Sequence, residues 1–204
     1  MVRRGAVASL LMIVFSASAS AQRPREGWSL GLGASRLSLG NAARDTLLAP
    51  GVDARLRPSD RFGFEAQLAL RRTAWEASLG IGYAGGHIRA ESDALVSEDK
   101  TSKSNRYRLA VLVGRRLAVV GRNDLMVAAG PTLDRWTLSF GDSKTALGAL
   151  IQVGLRIPAG RLELENLLSV GWSGGPFRPE DLPSTAETRT FRVVSFGGGI
   201  RFRL

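Results

Sequence analysis

From residue 27 onward, apolar residues recur at every second position in one segment after another, and this constrains the chain more than any other feature. A period of two puts neighbouring residues on opposite faces of a strand. In "LGALIQVGLRI", Leu147, Ala149, Ile151, Val153, Leu155 and Ile157 share one face, and Gly148, Leu150, Gln152, Gly154 and Arg156 share the other. In "RLELENLLSVGW", Leu162, Leu164, Leu168, Val170 and Trp172 oppose Arg161, Glu163, Glu165, Ser169 and Gly171. The same alternation runs through Trp28–Gly33, Phe62–Leu70, Trp75–Tyr83 and Arg106–Gly114, and less regularly through Leu125–Leu138. No amphipathic helix of useful length interrupts it. The chain is expected to be all-β.

Short links occur at "PSD" (58–60), "GRND" (121–124) and "PAG" (158–160), where Pro, Gly, Asn and Asp supply turn geometry. Long polar links occur at 91–105 and 173–188. Tight turns at one end and longer loops at the other are the plan of a transmembrane β-barrel.

Period two alone does not separate a membrane barrel from a soluble one, but the character of the two faces does. The less apolar face carries glycines together with Asp53, Arg55, Glu65, Glu76, Arg108, Arg156, Glu163, Glu165 and Arg201. Glycine weakens a water-exposed strand, whereas inside a narrow barrel it leaves room for Arg and Glu. The opposite face then meets hydrocarbon, with Trp28, Trp75, Tyr83, Tyr107, Trp172, Phe196 and Phe202 near strand ends as interfacial aromatics. Hydrocarbon satisfies no free sheet edge, so the last strand must pair with the first. The C-terminal "FGGGIRFRL" is therefore read as a seam strand, with Phe196, Ile200, Phe202 and Leu204 outward and Arg201 and Arg203 inward.

The N-terminus, "MVRRGAVASLLMIVFSASASAQ", has basic, apolar and small-residue regions in the order of a secretory signal. Residues 1–21 are expected to be removed, leaving 22–204 as one barrel domain in the outer membrane. Its apolar run is too short to span a bilayer. The chain contains no cysteine and carries a net charge of +10, so disulfides and thiolate metal sites are excluded.

In its signal sequence, alternating segments and C-terminal strand, the chain resembles the small bacterial outer-membrane β-barrel proteins, including the OmpX-like and OmpA-type transmembrane domains. The family usually ends in an aromatic residue where this chain has Leu204. The resemblance implies a closed antiparallel up-and-down barrel, with the C-terminal strand serving as the signal to the barrel-insertion machinery. The clearest segments number nine, yet both ends on the periplasmic side require an even count. Eight follows if 49–57 is loop, ten if "AGG" (84–86) is a turn. Eight is the expectation.

An eight-stranded lumen is filled by side chains, and unpaired charges there would be costly. The expected interior is plugged by Arg–Glu pairs, and arginines near the rim fit phosphates of lipopolysaccharide. The expected role is structural or interactive, through the long loops, with no catalytic residues, cofactor, metal or nucleic acid. Two alternatives stand beside it. One is a lipid-modifying hydrolase using His87 with Ser92 and Asp93. The other is a soluble periplasmic or secreted barrel holding an apolar ligand. "GIGYAG" (80–85) fits a dinucleotide fingerprint, but no strand–helix–strand unit surrounds it, and "SDALVSEDK" lacks the spacing of a calcium loop.

Overall fold

The computed structural model describes residues 26–40, 43–45, 54–59, 61–91, 96–120, 123–139, 141–178, 180, 182, 186–188 and 190–204. The strands are β1 (Gly27–Leu39), β2 (Ala43–Asp45), β3 (Ala54–Pro58), β4 (Arg61–Arg72), β5 (Trp75–Glu91) and β6 (Val96–Val120). They continue as β7 (Asn123–Leu138), β8 (Gly141–Ala159), β9 (Leu162–Gly174), β10 (Ala186–Thr188) and β11 (Thr190–Arg203).

Every ladder between them is antiparallel. Going round the wall, β1, β4, β5, β6, β7, β8, β9 and β11 pair in turn, and β11 returns to β1 over Ser29↔Arg203 through Leu39↔Val193. The result is a closed barrel of eight strands. The short strands extend this wall: β2 pairs with β10 and β3, and β3 pairs with β5 beyond the end of β4.

Three expectations about links change. Residues 54–58 are strand rather than loop, but they prolong the wall beyond β4 without adding a member to it, and 84–86 lie inside β5 as the eight-strand expectation requires. "PSD" does not reverse the chain. Pro58 has no N–H to give the ladder, and such positions are tolerated at irregularities. Here Ser59 N–H donates to His87 O at 2.8 Å and His87 N–H donates to Ser59 Oγ at 3.1 Å, beside the register shift at His87/Ile88. The 91–105 segment is mostly not a link either, since β6 starts at Val96 and pairs with β5 from Glu91↔Val96.

The faces divide as the alternation requires. Outward stand Leu30, Phe62 (69% exposed), Leu79, Ile81, Leu147 (78% exposed) and Ile200, among many others, while Arg201 and Asp134 inside are fully buried. Phe196, Phe202 and Leu204 are outward as expected of the seam strand. Asn166 is a polar exception on the outer face. Asp53 lies outside the described residues, as does the side chain of Arg55.

Toward the loop end the polarity inverts. On β1 the outward set Trp28, Leu30, Leu32 gives way to Arg36 and Ser38, while Leu37 and Leu39 turn inward and are buried. On β7, Arg135 is outward with Trp136 and Leu138 inside, and on β11 Arg192 is outward between inward Phe191 and Val193. Apolar side chains seek the interior only where the outside is water, so this inversion marks one edge of the apolar belt.

Candidate functional site

The interior has two layers. In the turn-end half, guanidinium and carboxylate groups from separate strands interlock. Arg156 (β8) donates to Glu76 (β5) through Nη1 to Oε2 at 2.5 Å and Nη2 to Oε1 at 2.7 Å, and through Nε to Glu165 Oε1 (β9) at 2.6 Å. Arg201 (β11) donates to Glu76 Oε1 at 3.3 Å, to Glu165 Oε2 at 3.2 Å and to Gln67 Oε1 at 2.5 Å. Nearer the mouth, Arg71 grips both oxygens of Glu163 at 3.1 and 3.2 Å, and Arg203 also donates to Glu163. Glu76, Glu163 and Glu165 are thus each shared by at least two cations, which is how a desolvated anion is compensated.

Glycine makes room for these long side chains. A Cβ on Gly80 would stand 3.2 Å from Glu65 Oε1, and one on Gly86 would stand 2.9 Å from Arg61 Cζ.

Farther toward the loop end, Arg106 pairs with Asp134 through two bonds of 3.0 and 2.7 Å, and Arg108 Nε reaches the same carboxylate at 3.0 Å. Arg106 and Arg61 lie over the Trp136 ring at 5.3 and 6.0 Å. Arg61 is paired with no acid among the described residues. It donates to the carbonyls of Ser59, Ala84 and Ser104.

Above Trp136 the interior is apolar. Leu37, Leu39, Ala84, Ile88, Trp136, Leu138, Phe191 and Val193 form one buried cluster, and Phe177 joins it from the segment after β9. Trp136 and Phe191 rings meet at 5.6 Å. The inward turn of that segment is fixed by Lys144 Nζ donating to Phe177 O at 2.6 Å and Arg178 Nη2 donating to Ser143 O at 2.7 Å. The 173–188 stretch, read from sequence as an outward link, thus sends Phe177 into the barrel. A phenylalanine among Gly and Pro in "SGGPF" was the available signal.

At the turn-end mouth a cavity of about 600 Å³ is lined by Glu26, Arg71, Arg161, Glu163 and Arg203 with Trp28 and Phe202. In the middle of the lumen, the space between Glu76, Gln152, Arg156 and Glu165 is only about 10 Å³.

The closed barrel fold has solved counterparts. Neisserial surface protein A superposes with a TM-score of 0.60 at 10% identity, covering 87% of this chain and 97% of that one. The outer membrane protein AlkL, solved in DMPC lipid bilayers, gives 0.53 at 16% identity, over 93% and 96% of the two chains. OprG from Pseudomonas aeruginosa gives 0.51 at 12% identity, over 91% and 100%. The chain has the fold of the small outer-membrane β-barrels. No protein-family model matches the sequence, and no curated protein does.

Within this barrel, His87 lies on β5 beside Ser59. Its backbone N–H, rather than its imidazole, meets the Ser59 hydroxyl, and its Nδ1 is buried without a partner among the described residues. Ser92 and Asp93 lie outside the described residues. "GIGYAG" is continuous strand within β5.

Proposed function

We propose that this chain is an integral outer-membrane barrel with a sealed lumen, acting as a structural and interaction protein through the hairpins at its loop end. The observation that carries this reading is the layering of the interior. A tightly paired ionic layer, in which the pocket between Glu76, Gln152, Arg156 and Glu165 holds only about 10 Å³, is followed by an apolar plug containing Phe177, Trp136 and Phe191. A path for hydrated solutes needs a continuous polar bore, and small eight-stranded barrels fill theirs with side chains.

Residues 1–21 act as a cleaved export signal and 22–204 as the mature barrel in this reading, and β11 is the strand offered to the insertion machinery. Lipid and lipopolysaccharide are the surrounding partners. Outward Arg36, Arg135 and Arg192 stand where the apolar belt ends and suit phosphate groups. No catalytic step is assigned.

The test is reconstitution of the purified mature chain in planar bilayers. Heat-modifiable gel mobility with no stable large conductance is expected. Steady large-conductance channels would overturn the sealed-lumen reading, and recovery as a monodisperse water-soluble particle would overturn the membrane reading.

A further inference from the structure

On the outer wall, two neighbouring cross-strand rows have contrasting character. One follows the ladders from Phe64 to Tyr83, Tyr107 and Arg135. The next follows Leu32, Ala66, Ile81, Leu109 and Leu133. Between the rows the backbone lies bare, because Gly33 and Gly82 have no side chains and those of Glu65 and Arg108 turn toward the lumen. Ala66 adds a gap between the larger Leu32 and Ile81.

The result is an apolar groove of about 690 Å³ crossing β1, β4, β5, β6 and β7, a span of about 19 Å at sheet spacing. Tyr83 and Tyr107, with ring centroids 5.3 Å apart, form part of one bank.

The two ends of the groove differ. Arg135 closes one of them, three residues before β7 ends and at the level where outward residues turn polar (Thr145 on β8, Thr137 on β7). Arg135 is exposed, and no ion pair involves it among the described residues. The nearest acid in sequence, Asp134, faces inward and is held by Arg106 and Arg108. A long apolar trough ending in an unneutralised guanidinium at the belt edge is complementary to one kind of molecule. Its tail is an alkyl chain, and its head is an anion with forked oxygens.

We propose that this groove is a specific site for lipid A of the outer leaflet, with one acyl chain lying between the two rows and a phosphate on Arg135. The site rests on the outer-membrane reading above, which puts the loop end in the outer leaflet. Many weak dispersion contacts along the chain supply the tail's hold, and the guanidinium–phosphate contact selects the head.

The test uses the full barrel extracted from outer membranes, washed in a delipidating detergent and examined by native mass spectrometry for retained lipid. Retained lipid A is expected on the natural chain. Arg135→Ala, which removes the charge, and Ala66→Phe, which fills the trough, should each lower retention at least fivefold. Arg135→Lys should lower it less, and Val153→Phe on β8 should leave it unchanged.

Heat-modifiable mobility is read on every sample. A natural chain lacking it would refute the membrane reading, whereas a heat-modifiable barrel carrying no lipid A would refute the groove alone. Equal retention of phosphatidylglycerol would overturn the assignment to lipid A, and loss of lipid A in Val153→Phe as large as in Ala66→Phe would overturn the location.

Discussion

Arg156 on β8 and Glu76 on β5, 80 positions apart in sequence, meet across the lumen through two bonds of 2.5 and 2.7 Å. The same carboxylate also receives Arg201, with Arg71 Nε 3.5 Å away. Glu76→Gln keeps the shape and removes the charge on which three guanidiniums converge. The loss should be about 3–5 kcal/mol, the usual effect of breaking a buried ion pair from one side. Urea unfolding of the barrel in lipid vesicles measures it, and a change under 1 kcal/mol would mean the network is slack or hydrated.

Which residues would enter that network was legible, because each inward charge sits on the polar phase of an alternating strand. Which would meet was not. Glu76 and Arg156 are brought together by barrel closure and strand stagger, quantities with no local signature.

The reading of 91–105 as a loop failed for a related reason. Strand was inferred from alternation, and alternation requires two faces of different polarity. Residues 96–105 are strand with a largely polar sequence, so composition there resembled a loop. The inversion at "SRLSL" and "DRWTL" was present in the sequence as a change of phase. It became interpretable only once Leu37, Trp136 and Phe191 were found in one cluster.

The outer face yields a depth-dependent prediction. Leu79 lies well inside the apolar belt, flanked across the sheet by Leu68 and Val111, whereas Trp75 is at the strand's turn end with Arg115 stacked 5.5 Å from its ring. An arginine at position 79 should destabilise by about 2–4 kcal/mol, and one at position 75 by about 0–1 kcal/mol beyond the loss of the indole. Unfolding in vesicles of both variants checks the gradient, and equal costs would mean that no hydrocarbon surrounds residue 79.

At the turn end, Glu26 ties the start of β1 to the β4–β5 turn. Its Oε1 accepts from Thr73 Oγ1 at 2.6 Å and from Thr73 N–H at 2.9 Å. These bonds, first the hydroxyl and then the amide, hold the carboxyl below its ordinary value, and Arg72 adds a smaller pull in the same direction. Because the folded value is depressed, the tie is present above the unfolded carboxylate value and is lost as pH falls through the folded one. A carboxyl-carbon NMR titration in micelles should give a low midpoint for Glu26. Thr73→Val should move it upward, and an unchanged midpoint would show that the hydroxyl is not the main cause.

Phe177 distinguishes a plug from a passing loop. Only 2% exposed, it packs in the cluster with Trp136, Phe191 and Val193 although it comes from the connection after β9 rather than from the wall. If the connection is a structural part of the barrel, Phe177→Ala should leave a cavity and cost about 3–5 kcal/mol, as for other buried phenylalanines. If it only rests on the mouth, neighbouring side chains close over the gap and the cost falls below about 1 kcal/mol, the range of surface changes. Leu182, partly buried against the same cluster, provides a comparison within the connection. Its replacement by Ala should cost less, since it has less surface to lose. Urea unfolding of both variants in vesicles decides the matter, and a Phe177→Ala cost no larger than that of Leu182→Ala would remove the plug from the account of the sealed lumen.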